Sequence, residues 1–211
     1  MAVSNTNPLV KNLAHITTLV RILLIFCAIA LLFHNGSRYC LWGSMVLLLA
    51  LLLDGVDGLL ARKFNANSKV GALIDTLGDR ITENTFLVFL AYKQLIPLFV
   101  PIIFISRSFI SDFVRSLALQ RGIGTFELNT SLLGRCLVAS KTSRAVYLIL
   151  KFMVFFIGAF MITWPDMKIC KVALPLSIFY GAMIITAMNL VRFAVLLWDS
   201  REILKETFCA D

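Results

Sequence analysis

Long apolar runs broken by short polar or basic stretches recur six times along the chain, at about 16–33, 40–61, 72–92, 96–118, 142–163 and 173–198. Each reaches or approaches the roughly 20 residues that carry a helix across a ~30 Å hydrocarbon layer. The pattern predicts an all-α, polytopic membrane protein of six transmembrane helices. A short interfacial segment is expected over residues 1–15, where Pro8, Lys11 and Asn12 interrupt the apolar character, with the membrane domain occupying 16–211. The apolar run from Ile22 to Phe33 behind Lys11 is read as a span, not a cleaved leader, because no small-residue cleavage site follows and five more spans do. Tight outer connections are expected at His34 to Arg38 and Gln94 to Pro97, where glycine or proline stops the helices, and one longer inner connection at 119–141.

Composition agrees with a bilayer as the main solvent: of 211 residues, 59% are hydrophobic and only 15% charged, and the mean hydropathy is +0.88. An even number of spans puts both termini on one side. Lys11, Arg62, Lys63, Lys69, Arg115, Arg121, Arg135, Lys141, Arg144, Arg201 and Lys205 flank that side, whereas Arg38, Lys93, Lys168 and Lys171 flank the other. Positive charge marks the cytoplasmic face, so both termini and the loops at 62–71 and 119–141 are expected there. The formal charge of +8 then reflects topology and attraction to anionic headgroups or phosphate substrates, and argues against a nucleic-acid surface. Cys27, Cys40, Cys136, Cys170 and Cys209 are scattered without a CxxC pair, and His15 and His34 lack partners at ligand spacing.

Against this background four carboxylates stand out. Asp54 and Asp57 close the second span, and Asp75 and Asp79 open the third. A charged side chain at mid-membrane costs roughly 2.5–3.5 kcal/mol on insertion scales, so such residues usually serve a function. Counted from Ala66 in the connecting loop, Asp57 and Asp75 lie nine residues to either side, and Asp54 and Asp79 twelve and thirteen away. All four can meet at similar depth. The i, i+3 spacing of Asp54 and Asp57 and the i, i+4 spacing of Asp75 and Asp79 give each pair one helix face. Pairing with Arg62, Arg80 or Lys69 near the interface would account for one or two of them, but not for four. Two divalent ions would neutralise the cluster through hard oxygen ligands of the kind Mg²⁺ or Mn²⁺ prefers, in a two-metal arrangement suited to phosphoryl displacement. Gly55, Gly58, Gly71 and Gly78 clear space beside the carboxylates, although glycine also serves close helix packing.

The run from Asp54 to Asp79 reads D-x2-D-G-x2-A-R-x8-G-x3-D-x3-D, and it resembles the signature of the CDP-alcohol phosphatidyltransferases at all eight fixed positions over 26 residues. That resemblance implies attack of an alcohol hydroxyl on the lipid-side phosphorus of CDP-diacylglycerol, with CMP leaving. It implies metal ligation by Asp54, Asp57 and Asp75, and for Asp79 both ligation and the general base. Asp57, Gly58, Ala61, Arg62 and Gly71 would line the CDP site, with Arg62 on a phosphate. A homodimer in membrane lipid, dependent on Mg²⁺ or Mn²⁺ and with its active site on the cytoplasmic side, is likewise implied.

A looser resemblance links Asn12, Thr18 and Arg21 to the opening motif of phosphatidylglycerophosphate and cardiolipin synthases, with Ala14 and His15 standing where proline and asparagine are usual. Thr76 and Arg80 replace the proline and lysine those synthases carry, and the arginine is more like inositol-type members.

Further cations point to the acceptor. Arg107, Ser111 and Arg115 form an i, i+4, i+8 stripe on the fourth span with Asp112 close by, and Lys141 and Arg144 open the fifth. Buried charges of this kind need an anion, and Asp112 is too few, so a phosphate on the acceptor is the expected partner of Arg107, Arg115, Lys141 and Arg144. For Arg115, Lys141 and Arg144 an ordinary topology signal at the cytoplasmic face is the alternative, whereas Arg107 sits deeper. Glycerol 3-phosphate fits better than serine or choline, whose amines are cationic; inositol or its phosphate, serine, and phosphatidylglycerol remain alternatives. A membrane ion or metal transporter is the competing class, but it predicts carboxylates at several depths, and the outer halves of these spans hold almost none.

Overall fold

A computed structural model describes residues 8–34, 36–63, 69–120, 131, 134, 140–165, 168–201 and 204–205, and the side chains among them except those of 8–15, 54–63, 69–73, 75, 119, 141 and 168–173. Six helices follow one another: α1 (Pro8–Phe33), α2 (Ser37–Lys63), α3 (Lys69–Tyr92), α4 (Phe99–Gln120), α5 (Lys141–Thr163) and α6 (Lys168–Asp199). They coincide with the six expected runs. Helix α1 differs in starting at Pro8, within the stretch expected to be interfacial, and running on without a break. Proline suits this first helical position because its missing N–H would have no intrahelical partner there. Helix α4 starts at Phe99, three residues later than expected: Gln94 takes a left-handed φ of 59°, and Val100 N–H donates to Pro97 O at 3.1 Å. Helix α6 begins earlier and carries Pro175 inside it.

Among the described residues, three helical stretches are long and apolar enough to cross a bilayer: Ile16–Phe33, Thr142–Thr163 and Leu174–Asp199. Helix α2 contributes a shorter apolar stretch, Ser37–Leu53. Helices α3 and α4 are diluted by their charges, Asp75, Asp79, Arg80 and Glu83 on one and Arg107, Asp112 and Arg115 on the other. Large apolar side chains stand on the surface, among them Leu23 at 68%, Trp42 at 62% and Phe109 at 73% exposure. So many large exposed apolar side chains suit lipid better than water. This is a membrane protein's exterior.

The chain divides into two compact units, Met1–Leu90 with Phe155–Leu174, and Ala91–Val154 with Pro175–Asp211. In the first, Ile25, Ala28 and Leu32 of α1, Leu47 and Ala50 of α2, and Phe86, Leu87 and Leu90 of α3 are buried. Gly43 brings α2 against α1: a β-carbon there would lie 2.8 Å from Leu32 Cγ and 3.0 Å from the Ala28 carbonyl oxygen and the Leu32 nitrogen. Close backbone approach through small residues is how helices gain packing energy when lipid removes the hydrophobic drive between them. Phe86 stacks on Phe155 at 4.7 Å. The Ser44 and Thr163 hydroxyls meet at 2.6 Å, with Thr163 Oγ1 also 2.8 Å from Ala159 O. Such interhelical bonds contribute about 0.6 kcal/mol each on average within a membrane.

In the second unit α4 buries Val100, Phe104, Ser108, Ser111, Val114 and Ala118, a single face at spacings of three and four, while α6 buries Ile178, Ala182, Ile185, Asn189 and Leu196. Two described residues of the long connection are tied to the end of α6. Ser131 Oγ donates to Asp199 Oδ2 at 3.1 Å and accepts from Gly134 N–H at 2.9 Å.

Candidate functional site

Helices α2 and α3 carry the four aspartates: Asp54 and Asp57 lie in the last three turns of α2, Asp75 and Asp79 in the second and third turns of α3. The side chains of Asp54, Asp57, Gly58, Ala61, Arg62, Gly71 and Asp75 lie outside the described residues. Asp79 is described. Its side chain is 46% exposed, and Oδ1 lies 2.9 Å from Nη2 of Arg21, whose side chain is 1% exposed. A fully buried guanidinium from α1 therefore holds one edge of the last aspartate of the cluster.

Local packing explains how an arginine reaches there. Gly78 is buried, and a β-carbon on it would stand 2.9 Å from Arg21 Nη2 and collide with the Thr18 methyl. Glycine at 78 thus opens the surface of α3 on which Thr18 and Arg21 rest, and the adjacent Asp79 meets the guanidinium. Thr18 is itself only 4% exposed. One turn further on stands Glu83, 5% exposed, so α3 carries Asp75, Asp79 and Glu83 at successive i, i+4 positions.

The sequence pattern missed the contact made by Arg21 and the burial of Glu83. Arg21 matched a motif but received no partner, although a lone arginine midway along an apolar helix calls for an anion. It stands thirteen residues beyond the first residue of α1, and Asp79 ten beyond the first of α3, a near match in depth that the sequence contains.

The donor set fits divalent metal. All four candidate ligands are carboxylates, the hard oxygen donors of Mg²⁺ and Mn²⁺. In Asp79, whose Oδ1 is engaged by Arg21, the side chain remains 46% exposed. Among the described residues no group of three metal-binding side chains occurs, since three of the four aspartates are not among them.

The expected acceptor cations belong to the second unit. Arg115 Nη1 is 3.8 Å from Asp112 Oδ1, a loose i, i+3 pair. Arg107 is half-buried on the same α4 face, with Ser111 fully buried between them. Arg144 is exposed on the first turn of α5, where its Nε donates to Ser140 O at 3.4 Å. The Lys141 side chain lies outside the described residues. Arg192, which sequence pattern left without a role, spans from α6 to α5: Nη2 donates to Ser143 O at 2.6 Å and lies 2.7 Å from Ser143 Oγ. Its guanidinium also sits 4.9 Å from the centre of the Tyr147 ring. These contacts assign Arg192 to joining two helices.

The model of the CDP-alcohol phosphatidyltransferase family matches residues 11–198. Curated relatives include a probable phosphatidylglycerophosphate synthase of Mycobacterium tuberculosis, 27% identical over 119 residues, which are 54% of this chain and 56% of that protein. A CDP-diacylglycerol–glycerol-3-phosphate 3-phosphatidyltransferase of Rickettsia typhi is 28% identical over 105 residues, 50% of this chain and 59% of the relative. A CMP-forming cardiolipin synthase of Streptomyces coelicolor is 35% identical over 66 residues, 31% of either chain. The matched part is thus little more than half the length of the first two relatives, and less of the third.

Proposed function

We propose that this chain, which belongs to the CDP-alcohol phosphatidyltransferase family, transfers the phosphatidyl group of CDP-diacylglycerol to glycerol 3-phosphate and releases CMP. The observation that carries the reading is the unbroken signature from Asp54 to Asp79, to which the relatives named for glycerol 3-phosphate add the acceptor. All six helices cross the membrane in this reading, with both termini and the active site on the cytoplasmic face, as the distribution of lysine and arginine favours. The protein works as a homodimer.

Asp54, Asp57, Asp75 and Asp79 would hold two Mg²⁺ or Mn²⁺ ions, which supply charge neutralisation for the pyrophosphate and its leaving oxygen. Gly58, Ala61 and Gly71 let the cytidine diphosphate lie close to the backbone, and Arg62 pairs with a phosphate. Arg107, Arg115, Lys141 and Arg144 take the phosphate of the acceptor. Asp79, whose side chain is partly exposed, accepts the proton of the acceptor hydroxyl. The hydroxyl oxygen forms its bond to the phosphatidyl phosphorus, the bond from that phosphorus to the CMP oxygen breaks, and CMP departs with the electron pair.

The test offers the purified protein CDP-diacylglycerol, Mn²⁺ and one labelled acceptor at a time. CMP release with glycerol 3-phosphate is expected; release with serine or inositol but not with glycerol 3-phosphate would overturn the acceptor. The similarity to a cardiolipin synthase supports a second reading, with phosphatidylglycerol as acceptor. Turnover with that lipid alone would select it.

A further inference from the structure

We propose that Arg21 is a positioning residue for Asp79, seated by Gly78, and that it fixes which carboxylate oxygen receives the acceptor proton. The inference rests on the assignment of Asp79 as base. Three observations carry it. The Arg21 side chain is 1% exposed while that of Asp79 is 46% exposed, with Nη2 2.9 Å from Oδ1. An arginine buried for stability alone gains little, because desolvation of the charge offsets the attraction it recovers. Here, moreover, only the cation is buried, while the partner side chain stays partly exposed.

Gly78 adds the second observation, because the space a β-carbon would need is the space in which Arg21 Nη2 and the Thr18 methyl lie. The residue preceding the base is therefore shaped around the arginine. Third, the contact is made to Oδ1, so the plane of the group is set from the α1 side and Oδ2 is presented as the proton acceptor. The acceptor hydroxyl gives its proton to Oδ2 as its oxygen bonds to phosphorus; Arg21 exchanges no proton and touches no substrate. Its effect is orientation, and a displaced base slows the chemical step without weakening the binding of CDP-diacylglycerol.

The full-length protein in lipid vesicles tests this with Arg21→Gln, Arg21→Lys, Gly78→Ala and the double variant Arg21→Gln with Gly78→Ala. Melting curves are recorded beside kcat and KM. Loss of an orienting partner typically costs 10–100-fold, so kcat is expected to fall ~100-fold in Arg21→Gln and ~10-fold in Arg21→Lys, with KM for CDP-diacylglycerol within about 3-fold of wild type. Gly78→Ala keeps the charge but pushes the guanidinium off the carboxylate, and is expected to lower kcat about 10-fold.

The double variant is expected to be no slower than Arg21→Gln, because both changes remove the same contact. Additive losses, a rise in KM with kcat intact, or wild-type kcat in folded Arg21→Gln would each overturn the proposal. Should Arg21→Gln fail to give a cooperative melt, wild-type kcat in Arg21→Lys overturns it. If wild-type protein releases no CMP with any acceptor, the parent reading falls and this inference with it. Wild-type turnover with indifferent Arg21 variants removes Arg21 alone.

Discussion

Asp79 has two surroundings at once, a buried guanidinium against Oδ1 and a side chain that is otherwise partly exposed. Replacement by asparagine keeps the shape and can still accept from Arg21 through its amide oxygen, but it removes the basic group. Asp79→Asn is expected to melt within a few degrees of wild type, to retain binding of CDP-diacylglycerol, and to lose about 10²–10⁴-fold in turnover, the usual contribution of a general base. Equilibrium binding of a labelled CDP-lipid beside a CMP-release assay checks it, and normal turnover would remove the base assignment. At this scale the sequence is informative about residue types and depth but not about partners. Charged residues within spans are visible as anomalies, whereas the pairing of Arg21 with Asp79 depends on how α1 turns its face to α3. That rotation is set by Gly78, whose packing role and whose space for phosphate are indistinguishable in sequence.

The helices themselves are legible because each is an apolar run closed by a glycine, proline or basic cluster, and α2, α3 and α5 agree with the pattern to within a few residues. The differences lie at helix starts: α1 begins at Pro8, eight residues before the expected run, whereas Pro175 lies inside α6 just as it lay inside the expected run. Proline removes one backbone donor, which ends a helix only where no neighbouring structure compensates. Helix pairing is the part the sequence does not disclose, since in lipid it depends on small residues at particular points. Gly43 is such a point for α1 and α2, with backbone atoms of Ala28 and Leu32 within 3.0 Å of a prospective β-carbon. Gly43→Ala is expected to destabilise by about 1–3 kcal/mol, since backbone cannot yield as a flexible side chain can. The melting temperature should fall by roughly 2–4 °C per kcal/mol, with kcat of the folded protein unchanged.

The molecule as a whole combines a membrane exterior with four aspartates on two successive helices, within a family match over 11–198. Composition and mean hydropathy by themselves indicate lipid, and the exposed Leu23, Trp42 and Phe109 agree with it. In the proposed reading the signature of aspartates indicates the chemistry, because four carboxylates brought together would call for bound divalent cations. The acceptor is harder to read. In the proposed reading the cations on α4 and α5 take a phosphate, and an exposed Arg144 bonded to Ser140 with a loosely paired Arg115 would suit several phosphorylated alcohols. The most direct test of metal-dependent phosphatidyl transfer is mass-spectrometric detection of phosphatidylglycerophosphate formed by vesicle-reconstituted protein from CDP-diacylglycerol and glycerol 3-phosphate. Product is expected with Mn²⁺, none after complete chelation, and recovery when Mn²⁺ is returned; product formation that persists through chelation would contradict a metal-dependent transfer.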